Sequence, residues 1–288
     1  MFTGRSAYPS DLLPVSPIHE DAMHKFDLET VVKETSELTF VGELSRSWNI
    51  GDNPNGGYMV ACTMRALGAV LPHADPVSVT THFLRPGIAD SSYEVKVEVV
   101  RTGRIATVAR ATFSQEGKAR IEVLCAYGDL DSSVGVDTDI TLSPPALPSP
   151  DLCPQRSGEA QGIVLPILSR LDVRIHPEQA HAGQYPRAEV SGWIRFSDGR
   201  SPDTHALPLF ADAFPPSPFT RLGVVGWVPT LELTVHIRRK PVPGWIRAQF
   251  ITQDLNGGRM IETGALWDAN GALVAQCRQL GLVLQSDG

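Results

Sequence analysis

The sequence repeats itself with an offset of 154 residues. The segment SVTTHFLRPG at 78–87 resembles ELTVHIRRKP at 232–241, and 232 − 78 = 154. Farther along, residues 102–119 align with residues 257–274 after one inserted residue. A repeat of this length indicates that one structural unit occurs twice, so the fold has to be explained as a pair of related units.

Each copy carries the pattern of antiparallel strands. In the first copy Tyr93, Val95, Val97 and Val99 alternate with charged residues, and residues 231–237 alternate in the same way in the second. Such alternation places the apolar side chains on one face of a sheet. Turn signals that contain glycine separate successive runs, so we predict hairpins.

An apolar segment precedes the long strands of each copy. Within residues 53–72 only Thr63 and Arg65 interrupt the apolar character after Tyr58, which indicates a helix wrapped by other structure. The matching segment 205–219 is also apolar and carries an aspartate. Its prolines predict a shorter or broken helix.

We therefore predict an α+β fold of two antiparallel sheets, each wrapped around a central helix and paired edge to edge. Pairing the two copies covers sheet edges that would otherwise be exposed. Between the copies lies a segment rich in Ser, Pro and Asp without any period. The predicted organisation is an N-terminal unit at 1–130, a linker at 131–160 and a C-terminal unit at 161–288.

Charge and hydropathy exclude some classes of partner. The net charge is −7 and the pI is about 5.6, which gives no electrostatic reason to expect nucleic acid as a partner. The chain begins without an apolar run behind a basic segment, and it lacks the continuous apolar stretch of a membrane span. We expect a cytoplasmic protein without membrane insertion.

The cysteines and histidines give no sign of a metal site. The four cysteines lie far apart in apolar stretches, which is typical of reduced, buried thiols. The eight histidines are scattered, and none is spaced as a ligand pair. The GxSxG, Walker A and GxGxxG motifs are absent from the sequence. We expect neither a metal nor a cofactor.

A set of motifs in fixed order resembles the acyl-CoA thioesterase II family. The motifs are NGGY, HFLRPG, VEVVRTGRIATVARATFSQEGK, VPTLELTVHI and GALVAQCRQLGLVL. Members of this family are double hot-dog proteins. The resemblance implies that a fatty acyl-CoA is hydrolysed to the free acid and coenzyme A, without metal or covalent intermediate. It does not transfer an acyl-chain preference.

The resemblance also implies a catalytic trio. The family's Asp, Thr and Gln fall on Asp212 in ADAFPP, Thr230 in VPTLEL and Gln279 in CRQLGL. A hydroxyl and an amide can each donate to or accept from a water molecule, and a carboxylate can take its proton or orient it. Read without the family, Asp212 is equally suited to cap a short helix, and the other two are ordinary strand residues.

The residues Asn55, Gly56 and Gly57 are candidates for substrate binding. They precede the apolar helix of the first copy, where backbone N–H groups are unpaired and the helix dipole favours negative charge. Such amides can stabilise the oxyanion of a thioester carbonyl. The alternative is that the glycine pair only forms a turn. Whether these amides serve the Asp212 site is left open by the sequence.

The repeat predicts one competent site per chain. Subtracting 154 from 212, 230 and 279 gives Tyr58, Pro76 and Cys125. The first copy therefore lacks a carboxylate and an amide at the aligned positions. His82 and His236 are also repeat-equivalent, and we interpret them as structural strand positions.

Two other functions remain as alternatives at this point. A hydratase or dehydratase on the same fold needs an Asp/His pair to move a proton to or from carbon. A non-catalytic acyl-CoA binding protein needs only the fold. Acyl-CoA is the expected partner in every case, and the sequence leaves open whether the chain forms a homo-oligomer.

Overall fold

The computed structural model describes residues 23–284 except Asp137 and Val225. The start of the chain, on which the expectation of an unexported protein partly rests, lies outside these residues. The elements of the first half are α1 Lys25–Glu29, β1 Lys33–Ser36, β2 Thr39–Glu43, β3 Asn49–Ile50, β4 Asn53–Pro54, α2 Gly56–Val70, β5 Asp75–Phe83, β6 Ser92–Thr102, β7 Thr107–Gln115 and β8 Lys118–Gly128. The elements of the second half are β9 Leu171–Ile175, β10 Glu189–Phe196, α3 Ala206–Ala211, α4 Pro218–Leu222, β11 Thr230–Ile237, β12 Ile246–Asn256, β13 Arg259–Trp267 and β14 Leu273–Leu282.

Most strands in the described part of the chain belong to one 12-stranded antiparallel sheet. Its order is β1-β2-β6-β7-β8-β5-β11-β14-β13-β12-β10-β9, while β3 and β4 pair separately. From the central pair β5 and β11, matching strands of the two halves run outward in the same order. The predicted edge-to-edge pairing is present, but it joins the two predicted sheets into a single sheet.

The junction of the two halves has the symmetry that the repeat predicts. Thr80 of β5 lies opposite Thr234 of β11, and their hydroxyl oxygens are 3.0 Å apart. These residues are repeat-equivalent, since 234 − 80 = 154. His82 lies opposite Glu232, and His236 lies opposite Ser78, which is the repeat equivalent of Glu232. The two histidines therefore occupy structural strand positions and do not face each other.

The two central helices differ in length for a reason visible in the sequence. The side chain of Asn55 caps α2, which is buried along most of its length and ends just before Pro72. In the second half α3 has only six residues and ends at Ala211, with Asp212 as its C-cap. Pro215 and Pro216 follow, and proline cannot continue a helix, as the sequence analysis predicted. The two helices pack against each other beneath the sheet.

Part of the segment assigned as linker lies along the outer face of the second half. Three aligned side chains on β10, β12 and β13 donate hydrogen bonds to its backbone carbonyls. The bonds run from Trp267 to Leu142 at 2.9 Å, from Arg247 to Pro145 at 3.0 Å and from Trp193 to Pro148 at 2.9 Å. Acceptors three residues apart lie on one side of an extended, proline-rich chain. This stretch is therefore attached to the sheet.

The four cysteines are buried and free, as their apolar sequence context predicted. In the portion of the chain that the structure covers, helices with the length and apolar character of a membrane span are absent.

Candidate active site

A cavity of about 360 Å³ lies where the start of α2 meets the end of α3. Asp212, Thr230 and Gln279 all line it, together with Asn55 and Gly56. Gly57 follows directly on α2. The structure thus brings the candidate residues of both halves to one place, which answers the question of whether the glycine segment lies beside Asp212. The chemical roles of these residues stay predictions.

Asp212 is held by the start of α2. Its Oδ2 accepts a hydrogen bond from the Gly57 N–H at 2.8 Å and another from Asn55 Nδ2 at 2.9 Å. Asn55 Nδ2 also donates to the Asp212 backbone oxygen at 2.9 Å, while Asn55 Oδ1 accepts from the Tyr58 N–H. One asparagine therefore caps α2 and fixes the carboxylate at the positive end of the helix dipole.

The glycine pair is required by this close approach. A Cβ atom on Gly57 would lie 2.7 Å from the Cα atom of Leu209 on α3. A Cβ atom on Gly56 would lie 2.6 Å from the ring of Phe83 and 3.0 Å from Asp212 Oδ2. Any larger residue would separate the two helices or displace the carboxylate. The pair does more than form a turn.

The Asp212 carboxyl has a raised pKa. Burial raises its pKa from the ordinary 3.8 to about 6. Three groups oppose this rise in pKa by stabilising the carboxylate: the Gly57 N–H, the positive charge of Arg156 and the Asn55 amide. At neutral pH the group is mostly ionised, yet it accepts a proton more readily than a solvated aspartate does.

Thr230 and Gln279 approach the cavity from neighbouring strands. Thr230 begins β11 and lies opposite Gly281, while Gln279 lies on β14 opposite Glu262 of β13. Within the described ranges, no hydrogen bond joins the side chains of Thr230, Gln279 and Asp212 to one another. All three therefore face a space that a small molecule can enter.

The cavity contains two buried charged residues that the sequence did not predict, Arg156 and Glu262. Arg156 is 5% exposed, lines the cavity and donates from Nη1 to the carbonyl oxygen of Ala213. Glu262 is 7% exposed, and its Oε2 accepts from the Ser217 N–H at 2.9 Å. Burial, together with the negative charge of Asp212, raises the pKa of Glu262.

The two omissions have different causes. Arg156 belongs to the stretch assigned as linker, where an arginine without periodic context carries no structural signal. Glu262 did leave a signal, because it shares the inward register of β13 with Met260 and Leu266. A charged residue at an inward strand position indicates a buried polar site.

Apolar side chains form most of the cavity wall. Leu84, Trp227 and Leu231 are exposed at its opening. Aromatic and sulfur-containing side chains line the rest, namely Met59, Phe83, Phe214, Phe219 and Phe250. An apolar wall around a few convergent polar groups suits a ligand with a hydrocarbon chain and one polar reacting centre.

The equivalent position in the first half is part of the core. Tyr58 is fully buried, and its ring stacks on Trp48 with centroids 5.1 Å apart. Its hydroxyl donates to the backbone oxygen of Glu29 and accepts from the Ser45 N–H. Cys125 is buried as well. Tyr58 and Cys125 pack inside the first half and do not line the cavity.

A cluster of carboxylates lies outside the cavity. Asp75, Asp129 and Asp131 come together in a geometry that would suit a cation. The ammonium group of Lys240 already pairs with Asp75 at 3.2 Å and with Asp131. The cluster is therefore explained as an ion-pair network around a lysine.

Two family models match the chain. Residues 44–130 match the acyl-CoA thioesterase N-terminal domain, and residues 144–283 match the acyl-CoA thioesterase C-terminal domain. Together they cover most of the sequence, and they meet near the segment between the two halves.

Solved structures resemble the chain over most of its length. A Thermobifida fusca protein described as a thioesterase II is 30% identical, with a TM-score of 0.82 over 92% of this chain and 99% of its own. A hot-dog protein from Alicyclobacillus acidocaldarius has a TM-score of 0.79 at 21% identity, over 92% and 99% of the two chains. The dehydratase domain of PpsC from Mycobacterium tuberculosis, solved with C12:1-CoA, has a TM-score of 0.54 at 12% identity, over 88% and 97%. The hot-dog fold is thereby confirmed, and the likenesses to the Alicyclobacillus protein and to the dehydratase show the fold alone.

Proposed function

The chain belongs to the acyl-CoA thioesterase II family and is a thioester hydrolase, and we propose that it cleaves fatty acyl-CoA with a water molecule activated at Asp212. The observation that carries this proposal is the environment of Asp212. A carboxylate with a raised pKa is fixed by α2 beside Thr230 and Gln279, inside an apolar cavity. A general base needs this combination of position and basicity.

In the proposed reaction Asp212 takes a proton from the attacking water. The water oxygen bonds to the thioester carbon, and the carbonyl becomes a tetrahedral oxyanion. Thr230 and Gln279 orient the water through their hydroxyl and amide groups. When the C–S bond breaks, the thiolate of coenzyme A takes the proton from Asp212, and the acyl group leaves as the acid.

The apolar wall supports a fatty acyl chain as the substrate group. Burial of each methylene contributes about 0.8 kcal/mol, so a hydrocarbon chain gains affinity with every carbon that the cavity admits. We also propose that each half is one hot-dog unit, divided at the predicted boundaries 1–130, 131–160 and 161–288.

A hydratase or dehydratase is the second candidate. It requires a histidine beside the carboxylate. Among the described residues, no histidine lines the cavity. His205 precedes α3 and faces α2 at Gly68, away from the Asp212 carboxylate. This arrangement favours hydrolysis.

A substrate panel tests the proposal. Saturated acyl-CoAs of graded chain length are assayed for thiol release, and 2-enoyl-CoAs for loss of the conjugated double bond. We expect thiol release that improves with chain length up to the capacity of the cavity, and no hydration. Hydration without thiol release would support the second candidate. Tight binding of acyl-CoA without any reaction would identify a binding protein.

A further inference from the structure

Arg156 is a buried cation that the proposed mechanism does not use. Its backbone N–H donates to Val173, next to the bridge between Gln155 and Arg174, so the side chain leaves a fixed point at the edge of β9. From there the guanidinium reaches the active cavity. A buried charge is costly unless it is paired, so its position requires an explanation.

The guanidinium has donors to spare. Nη1 donates to Ala213, but within the described residues Nε has no partner. In the same part of the chain Nη2 makes no hydrogen bond either. An arginine carries five N–H donors in a planar fork. Nε is enclosed by protein, so Nη2 is the donor of Arg156 that is available to a bound molecule.

Across the residues that the structure describes, Arg156 and Asp212 line the same cavity without a direct hydrogen bond between their side chains. The two groups have other partners: Oδ2 of Asp212 accepts from Asn55 and Gly57, and Nη1 of Arg156 donates to Ala213. Burial lowers the pKa of Arg156 from its ordinary 12.5, and the negative charge of Asp212 opposes this shift. That pKa is about 10, so the guanidinium is cationic at neutral pH. Both groups line the cavity that would hold the reacting carbonyl.

The thioester oxygen needs a donor, and the Gly57 amide is not free to supply it. The Gly57 N–H, which the sequence offered as an oxyanion donor, already binds Asp212. Arg85, the other arginine at the cavity, is exposed at the opening and donates to the backbone of Ala119. Of the two, Arg156 is the buried cation beside the base.

We propose that Arg156 is a catalytic residue whose guanidinium donates a hydrogen bond to the thioester carbonyl oxygen and stabilises it as an oxyanion. The inference rests on the proposed hydrolysis. The water proton goes to Asp212, and the negative charge that appears on the carbonyl oxygen is paired with Arg156. When the C–S bond breaks, the carbonyl re-forms and the guanidinium is unchanged. Base and oxyanion donor thus face each other across the reacting carbon.

The test compares Arg156→Gln and Arg156→Lys with the exposed control Arg110→Gln, using acyl-CoA thiol release. Loss of one preorganised oxyanion donor lowers kcat by about 100- to 1,000-fold. We expect a loss of this size for Arg156→Gln, an intermediate loss for Arg156→Lys and native activity for the control. KM should change much less than kcat, since the donor acts mainly on the transition state.

An unreactive ligand separates catalysis from folding. An alkyl-CoA thioether lacks the carbonyl oxygen, so it should bind the native protein and Arg156→Gln equally well. Native kcat in Arg156→Gln would overturn the inference and leave the hydrolase assignment intact. An equal loss of thioether affinity and kcat would also overturn it. If Arg156→Gln fails to unfold cooperatively on heating, Arg156→Lys carries the same test. Native protein inactive on every acyl-CoA would instead refute the proposed function.

Discussion

Replacing Asp212 by asparagine should stabilise the folded protein at neutral pH. Both hydrogen bonds to the carboxylate, from Asn55 and Gly57, meet at Oδ2. The amide oxygen of an asparagine can take the place of Oδ2 and accept both. The substitution therefore keeps both contacts and removes the buried charge, together with its attraction to Arg156, which the raised pKa of Asp212 already includes.

The magnitude follows from the pKa of Asp212. It rises from 3.8 to about 6 on folding, so the folded state holds a proton that the unfolded state has lost. The stabilisation that comes from protonating Asp212 in the folded state is complete below pH 3.8 and is lost as the pH rises through about 6. A pKa that rises by about two units on folding corresponds to about 3 kcal/mol in the free energy of unfolding. Between pH 4 and pH 7.5 the free energy of unfolding of Asp212→Asn, relative to the native protein, should rise by about 2 kcal/mol. This is less than the full value of about 3 kcal/mol because part of the change lies below pH 4.

Urea unfolding followed by tryptophan fluorescence at several pH values measures this difference. The matched control is Asp254→Asn, which removes an exposed carboxylate on β12. Its stability relative to the native protein should not vary over the same pH range. A difference between Asp212→Asn and the native protein that stays constant with pH would refute the reasoning, because the carboxyl would then not be perturbed by folding.

Three further results are expected. The kcat/KM of the native protein for acyl-CoA should rise with pH to a plateau above about pH 6, as Asp212 ionises; a pH–rate profile without an inflection there would contradict this role. Glu262→Ala leaves the buried Ser217 N–H unpaired and should lower the free energy of unfolding by about 1–3 kcal/mol, whereas Glu262→Gln keeps an acceptor and should cost less; equal losses in urea unfolding would argue against the hydrogen bond. At the junction, a double-mutant cycle of Thr80→Val and Thr234→Val should give a coupling energy of at least about 0.5 kcal/mol, and additive losses would mean that the two hydroxyls do not interact.

The repeat accounts for much of the fold. Because strands 154 residues apart are equivalent, the sequence alone predicts matching halves and a paired edge, and Thr80 does meet Thr234. Alternation of apolar residues locates the strands, and the prolines after Asp212 explain why α3 is short. Continuity of the sheet through β5 and β11 depends on the register between two strands distant in sequence, which local pattern does not encode.

The candidate site is predicted less completely. The family resemblance points to Asp212, Thr230 and Gln279, and all three line one cavity. It does not reveal that the Gly57 N–H binds the carboxylate, because the direction of one amide depends on how α2 meets α3. Arg156 could not be predicted, since its role depends on where an aperiodic segment crosses the sheet edge.

The most direct test of a hydrolase centred on Asp212 is acyl-CoA thiol release by three proteins, namely the native chain, Asp212→Asn and the exposed control Asp254→Asn. Removing a general base typically lowers the rate by about 100- to 10,000-fold. A loss of this size in Asp212→Asn, with native activity in Asp254→Asn, is the predicted result. Full activity in Asp212→Asn, with its cooperative unfolding preserved, would contradict the account.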